Sequence, residues 1–339
     1  MADNSAIEWT DATWNPVTGC SVVSPGCTNC YAMRLAGTRL AQHPSRAGLT
    51  RDTKTGPVWT GEVRFNGQWL DQPLRWKRPR RVFVCAHADL FHEAVPDEWI
   101  DRVFAVMNAA RQHTFQVLTK RAERMRSYMA RSTSAKAANT LSIHTSGIWA
   151  WPPPNVWLGV SAEDQARADE RIPRLLATPA AVRWVSAEPL LGPLDLWLYV
   201  DPHRLYRRHI DWVVAGGESG PGARPMHPDW ARALRDQCQA AGTKFHFKQH
   251  GAWLAVSQCE ESDDFYAPAP PHAPDASRRC LYETTILHTD GSRHRDTEPM
   301  AFAVGRGAMQ MFNVGKKRAG RLLDGREWNE TPDSPAGAA

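Results

Sequence analysis

Arg81-Val-Phe-Val-Cys-Ala86, a helical pattern from Pro96 to Arg111, and then Thr114-Phe-Gln-Val-Leu118 decide the fold. A short apolar run, a long amphipathic stretch and a second short apolar run read as strand, helix, strand. The same alternation repeats on the C-terminal side. Asn155-Val-Trp-Leu-Gly-Val160, Val182-Arg-Trp-Val-Ser-Ala187, Ile210-Asp-Trp-Val-Val-Ala215 and Lys244-Phe-His-Phe-Lys248 read as strands, with helices over 163–177 and 228–241. A basic helix runs from the second strand to about Arg131, and residues 132–154, with Pro152-Pro-Pro154, read as an inserted loop. Towards the N-terminus, residues 9–19 hold a first short strand, 28–41 a helix and 42–60 a polar loop. Glu62-Val-Arg-Phe65 reads as a strand and Leu70 to Trp76 as a short helix. Six or seven β–α alternations predict an α/β protein whose parallel sheet is covered by helices. No Gly-x-Gly-x-x-Gly follows the first strand, so a complete or partial β/α (TIM-like) barrel is favoured over a dinucleotide-binding sheet. The barrel is expected over residues 1–256. Residues 257–339 form a C-terminal extension: a mobile insertion over 258–280, a hairpin of 281–288 with 295–304 around Asp290-Gly291, and a basic segment from Val314 to Trp328.

Three of the seven cysteines lie in Cys20-Ser-Val-Val-Ser-Pro-Gly-Cys27-Thr-Asn-Cys30, after the first strand and before a helix. Thiolates at this spacing can converge on one metal centre, and the start of a helix favours the thiolate form. A 4Fe–4S cluster held by three cysteines keeps one iron open, whereas structural zinc asks for a fourth ligand from elsewhere in the chain. Both readings stand on spacing alone. Cys85, Cys238, Cys259 and Cys280 read first as structural thiols. The clustering suits a reducing compartment, and the first residues have neither the basic nor the apolar region of a signal peptide. No apolar run is long enough to span a membrane, so a cytoplasmic protein is expected.

The 339 residues carry a formal net charge of +5, and the basic residues are clustered. Arg78 and Arg80 fall in one group, Lys120 and Arg121 in a second, Lys316 and Lys317 in a third. With fifteen tryptophans in the chain, such clusters suit a phosphate backbone and stacked bases, although solvated charges and core tryptophans give the same composition. In a β/α barrel the chemistry gathers at the C-terminal ends of the strands. Here those ends carry His87, Asp89 and His92, then Ser161 and Glu163, Ser186 and Glu188, Gly216-Gly-Glu218 and Lys248. Some of these serve equally well as helix caps.

Taken in order, several motifs resemble the phage-associated three-cysteine-motif proteins. They are Trp14-Asn-Pro-Val-Thr-Gly-Cys20, Pro25-Gly-Cys27-x-x-Cys30-Tyr-Ala, Asp89-Leu-Phe-His92, Asn155-Val-Trp-Leu-Gly-Val-Ser161, Ser186-Ala-Glu-Pro-Leu190, Gly216-Gly-Glu-Ser-Gly220 and Lys316-Lys-x-Ala-Gly-Arg-Leu-Leu-Asp-Gly325. That family is similar to radical S-adenosylmethionine (SAM) enzymes, among them spore photoproduct lyase. The resemblance implies a 4Fe–4S cluster on Cys20, Cys27 and Cys30, with SAM bound at the open iron and cleaved to a 5′-deoxyadenosyl radical. The chain departs from the superfamily pattern in three places. Six residues rather than three separate the first two cysteines, Asn29 stands where an aromatic is usual, and Gly216-Gly-Glu218 comes late.

The resulting expectation is a radical SAM iron–sulfur enzyme acting on nucleic acid, DNA before RNA, in base repair or modification, with an external electron donor. Cys85, Glu188 and Lys248 are its catalytic candidates. Ser161, Glu163, Ser186 and Glu218 are candidates for binding the cofactor, and Arg78, Arg80, Lys120, Arg121, Lys316 and Lys317 for binding nucleic acid. The alternative is a zinc-bound protein that docks nucleic acid or a partner without radical chemistry. A barrel hydrolase with His87, Asp89 and Glu218 on a metal ranks last.

Overall fold

The computed structural model describes residues 5, 7–131, 151–201, 208–259, 265–267 and 279–333. Its centre is one seven-stranded sheet, every neighbouring pair parallel: β1 (Ala12–Trp14), β2 (Arg81–Val84), β3 (Thr114–Thr119), β4 (Val156–Ser161), β5 (Val182–Ala187), β6 (Trp212–Gly216) and β7 (Lys244–Gln249), in that order across the sheet. The sheet curls into a partial β/α barrel. Among the described residues β1 and β7 are its edges and do not pair with each other.

Side-chain alternation along the strands sorts two cores. Val82, Val84, Phe115, Val117, Leu158, Val160, Val185 and Val213 belong to the larger cluster, packed with the helices. Asp97–Ala109 buries Ile100, Val103, Phe104 and Met107, a helical stripe set up by Asp97 and Glu98 in its first turn. Gln165–Ala177 begins at Asp164, whose side chain accepts from the Arg167 amide, and Pro228–Ala241 ends at Gly242 with φ +72°. The opposite face of the sheet is concave and holds Phe83, Trp157, Trp184 and Trp212, closed by Trp9 from the N-terminal segment. Their rings meet edge-on or tilted at centroid distances of 4.8–6.0 Å. Gly159 sits beside Trp184 in the register, and a β-carbon there would collide with the indole. The tryptophans read above as stacking platforms are therefore mostly core: eight of them, Trp9, Trp14, Trp59, Trp157, Trp184, Trp212, Trp230 and Trp253, are buried.

A second, antiparallel sheet follows directly: β8 (Trp253–Ala255), β9 (Thr284–Leu287), β10 (Arg293–His294) and β11 (Met309–Asn313), in the spatial order β8-β11-β9-β10. Its first strand lies on the barrel side of position 256, and Trp253, Leu287 and Met311 join the large core. Two local readings change. Residues 42–60 contain an antiparallel hairpin, Thr50–Thr53 with Gly56–Trp59, whose first strand is almost wholly exposed and so lacked an apolar signal. The hairpin around Asp290-Gly291 returns through Arg293–His294, because the Asp290 carboxylate accepts from both the amide and the hydroxyl of Ser292 and tightens the turn. Residues 295–304 form successive turns instead. Of the insertion over 258–280, residues 260–264 and 268–278 lie outside the described residues, as does most of the 132–154 loop. Among the described residues no helix is long and apolar enough to cross a membrane.

Candidate active site

All seven strands point their C-terminal ends the same way, and the cysteine loop lies across that end. The loop leaves β1 through Gly19, whose φ of +95° and close approach to the Glu62 carbonyl exclude a side chain. Pro25–Cys27 forms a single 3₁₀ turn, the Cys30 amide donates to the Cys27 carbonyl, and Cys30 caps the helix Tyr31–Gly37. Cys20, Cys27 and Cys30 line one wall of a cleft of about 450 Å³. Trp9, Phe83 and Leu118 give it an apolar floor and Trp59 joins the wall of the cysteine loop, while Ser161, Ser186, Glu188 and Lys248 line it from the strand ends. Cys85 lines it too, from a backbone turned to φ +57° at the end of β2.

Three sets of charged groups fix the loop over the strands. Glu163 is fully buried beneath it and accepts from Ser24 at 2.6 Å, Lys120 at 2.6 Å and Arg171 at 3.0 Å. Gly26 rests on that side chain, and a β-carbon at Gly26 would overlap it. Glu218 accepts from Asn29 at 2.8 Å and from the Arg224 guanidinium at 2.6 Å, while Arg224 also donates to the Pro25 carbonyl at 2.9 Å. The loop after β6 is thereby tied to the loop after β1 across the mouth. Arg121, nearly buried, donates to Ser21 at 2.6 Å, pairs with Asp89 at 3.2 Å and brings Nη1 within 3.5 Å of Cys20 Sγ.

Ser161, Ser186, Glu188, Lys248, Cys85 and the three loop cysteines thus meet in one cleft. Glu188 and Lys248 are paired at 2.7 Å. Glu163 and Glu218 have their carboxylates engaged by the loop and by arginines. Lys120 and Arg121 point inward to Glu163 and Asp89. Lys316 reaches the cleft rim, because Gly315 donates to the Ala252 carbonyl and His250 to the Gly320 carbonyl just after β7. Lys317 lies beside it. Arg78 and Arg80 precede β2 and stand at the opposite end of the sheet, Arg80 over the Trp76 ring. The six basic residues do not share one face.

Ser24, Arg171 and Arg224 were not singled out by sequence, and Asn29 was noticed only as a departure. Arg171 lies two helical turns beyond Glu163, the one spacing that hinted at its role.

A protein family described as "Protein of unknown function (DUF5131)" matches residues 4–332, a span containing both sheets, the cysteine loop and every cleft residue. The chain belongs to that family. No curated protein and no solved structure matches it.

In this DUF5131 chain burial raises Cys20, Cys30 and Cys85. Cys20 is pushed up to about 12 by desolvation and by Asp89, against the pull of Arg121. Cys85 is likewise pushed up to about 12, by desolvation first. Cys30 is raised by desolvation, with the Ala32 and Met33 amides acting the other way. For Glu163 desolvation opposes ionisation, but Lys120 and Arg171 outweigh it and hold the carboxyl at about 2. Among the described residues no three His, Cys, Asp or Glu side chains are grouped as ligands of a single metal ion. The three loop thiols share the cleft wall but are not so grouped; by ligand type they are a soft set of the kind that takes iron–sulfur clusters or zinc. Binding either would release thiol protons.

Proposed function

We propose that the chain is a radical SAM iron–sulfur enzyme of the cytoplasm that repairs or modifies a base of nucleic acid. The observation that carries this reading is the meeting of Cys20, Cys27 and Cys30 with the polar ends of β4, β5 and β7 in one cleft. The motif resemblance to three-cysteine-motif phage-associated proteins and radical SAM enzymes supports it. Cys20, Cys27 and Cys30 would hold a 4Fe–4S cluster, which with bound SAM and an external electron donor supplies one-electron radical chemistry. Arg121, beside Cys20 Sγ, offsets negative charge gathered on the thiolates. Glu188 offers carboxylate oxygens to an ammonium or hydroxyl group, and Lys248 steadies it. Ser161 and Ser186 add hydroxyls from adjacent strands. Trp9, Trp59 and Phe83 give a flat ring apolar walls and keep water out. Cys85 holds its proton at Sγ and faces the same space. Lys316 and Lys317 are the cations a polyanion meets at the rim.

The test is reconstitution without oxygen in iron and sulfide. About four irons per chain are expected. Cys20→Ala, Cys27→Ala and Cys30→Ala each abolish loading, whereas Cys238→Ala, buried in the helix Pro228–Ala241, leaves it intact. The reduced protein is expected to cleave SAM to 5′-deoxyadenosine and methionine. One zinc and no iron under these conditions would falsify the reading and leave a zinc-bound docking protein.

A further inference from the structure

A second hollow, of about 400 Å³, adjoins the cleft and shares Lys248, Gln249 and Lys316 with it. Beyond these it is lined by Glu8, Lys317 and Arg321. We propose that this hollow is a sugar–phosphate subsite, which takes the phosphate ester next to the nucleotide lying in the cleft. The proposal rests on the nucleic-acid reading above and gives it a location.

Three features carry it. The first is weak neutralisation of Lys316 and Arg321, whereas Lys248 is paired with Glu188 at 2.7 Å. Several arginines nearby are tightly paired: Arg224 with Glu218 at 2.6 Å, Arg232 and Arg235 with Asp324 at 2.6 and 2.7 Å. In the hollow, Lys316 stands 3.9 Å from Glu8 and Arg321 stands 3.9 Å from Glu327. Arg321 Nε is buried with no hydrogen-bond partner among the described residues, although Asn329 accepts from the other end of the guanidinium. A buried donor left without a partner is costly, and a phosphate oxygen would satisfy it.

The second feature is a rigid frame. Gly315 and Gly320 take φ values of +79° and +66°, bending the chain on either side of the single turn Lys316–Ala319. That turn is bound to the chain after β7 by Gly315 to Ala252, His250 to Gly320, and the His250 ring to the Leu322 carbonyl at 2.7 Å. Its cations are therefore held beside the strand end that carries Lys248.

The third feature points to the sugar. Two buried acceptors, Gln249 Oε1 and Glu8 Oε2, have no donor among the described residues. An inorganic phosphate dianion has one hydroxyl at most to offer and is repelled by Glu8. A ribose 2′-hydroxyl, the one sugar hydroxyl that a nucleotide inside a strand keeps, donates to one of these acceptors while the attached phosphate meets Lys317 and Arg321, so the subsite favours RNA over DNA.

The experiment measures fluorescence anisotropy of a labelled single-stranded oligoribonucleotide of about 12 nucleotides on the full chain, with the matching oligodeoxyribonucleotide expected to bind more weakly. Inorganic phosphate and a nucleoside 5′-monophosphate serve as competitors. Lys317→Ala combined with Arg321→Gln is expected to weaken binding about tenfold at low salt and to lower the salt slope by about 0.7 per charge. Lys317→Glu, at an exposed position that leaves the fold intact, is expected to weaken binding at least as much as Lys317→Ala alone. Arg78→Ala, at the far end of the sheet, is expected to change nothing. The monophosphate is expected to compete better than inorganic phosphate and worse than unlabelled oligonucleotide. Native protein that binds the oligonucleotide while the variants bind equally well overturns the subsite and spares the nucleic-acid reading. Native protein that loads its cluster but does not bind the oligonucleotide overturns both. Competition by inorganic phosphate equal to that by the monophosphate overturns the sugar contact.

Discussion

Trp184 and Ser186 stand two residues apart on one strand and face the same side of the sheet. One is sealed among aromatic rings; the other opens on a charged cleft. The change recurs on two other strands, from Trp157 to Ser161 on β4 and from His246 to Lys248 on β7. The concave face thus has two halves. Near the N-terminal ends of the strands, indoles fill the space that a closed barrel would fill with branched side chains. Near the C-terminal ends the space stays open and its borders are held by charge. Because the aromatic half closes the floor, the other half can hold polar groups without giving up the core.

The comparison predicts where stability resides. Trp184→Ala removes the indole that touches Trp9, Trp212 and the surface left by Gly159. It should cost about 3–5 kcal/mol, read from chemical denaturation. A loss under 1 kcal/mol would mean that the aromatic half is loosely packed, and the contrast between the halves would fall.

How much of this was legible in the sequence follows the same division. Val182–Ala187 and Pro228–Ala241 agree with the structure to the residue, because a run of alternating or helically spaced apolar residues is bounded there by Pro, Gly and charged groups. Thr50–Thr53 was missed because hydrogen bonding to Gly56–Trp59, and no buried face, makes it a strand. In the cleft, the cysteine loop and the polar strand ends were visible as residue types. Their orientation was not. Glu163 follows a strand as Glu188 does, yet one carboxylate goes under the loop and the other into the cleft. That outcome depends on Gly26 leaving room above and on Arg171 arriving from the next helix. Arg78 and Lys120 looked alike as members of basic clusters, but one precedes a strand and the other follows one, so the parallel sheet sends them to opposite ends.

Next in size is the charged half. A carboxyl held at about 2 instead of 4.5 contributes about 3 kcal/mol at neutral pH. Glu163→Gln should lose about that much, since it leaves Lys120 and Arg171 facing an uncharged amide. The sign with pH follows from the lowered value. The contribution is full above about 4.5 and fades as pH falls towards 2, so the gap between native and Glu163→Gln protein should shrink across that window. Urea titrations at a series of pH values measure it, and a gap that is constant with pH would show that the Glu163 charge does not hold the loop.

The smallest effect expected is at Asn29, and it separates the loop's anchoring from the stability of the whole. Asn29 donates to Glu218 at 2.8 Å and to the Gly222 carbonyl at 2.9 Å, linking the helix turn that carries Cys27 and Cys30 to the loop after β6. Asn29→Ala should cost about 1 kcal/mol globally, because Arg224 still satisfies Glu218 and still reaches the Pro25 carbonyl. Its local effect should be larger. With the Asn29 ties across the mouth removed and those of Arg224 and Arg34 left, the turn opens more often, and in metal-free protein Cys27 and Cys30 should react faster with a thiol reagent while Cys238 stays unchanged. Trp184→Ala should raise labelling at Cys238 together with the loop cysteines, because the sheet against which that helix packs is weakened. If Asn29→Ala accelerates all three thiols alike, the loop opens only with global unfolding, and the charged half is as integral to the fold as the aromatic one.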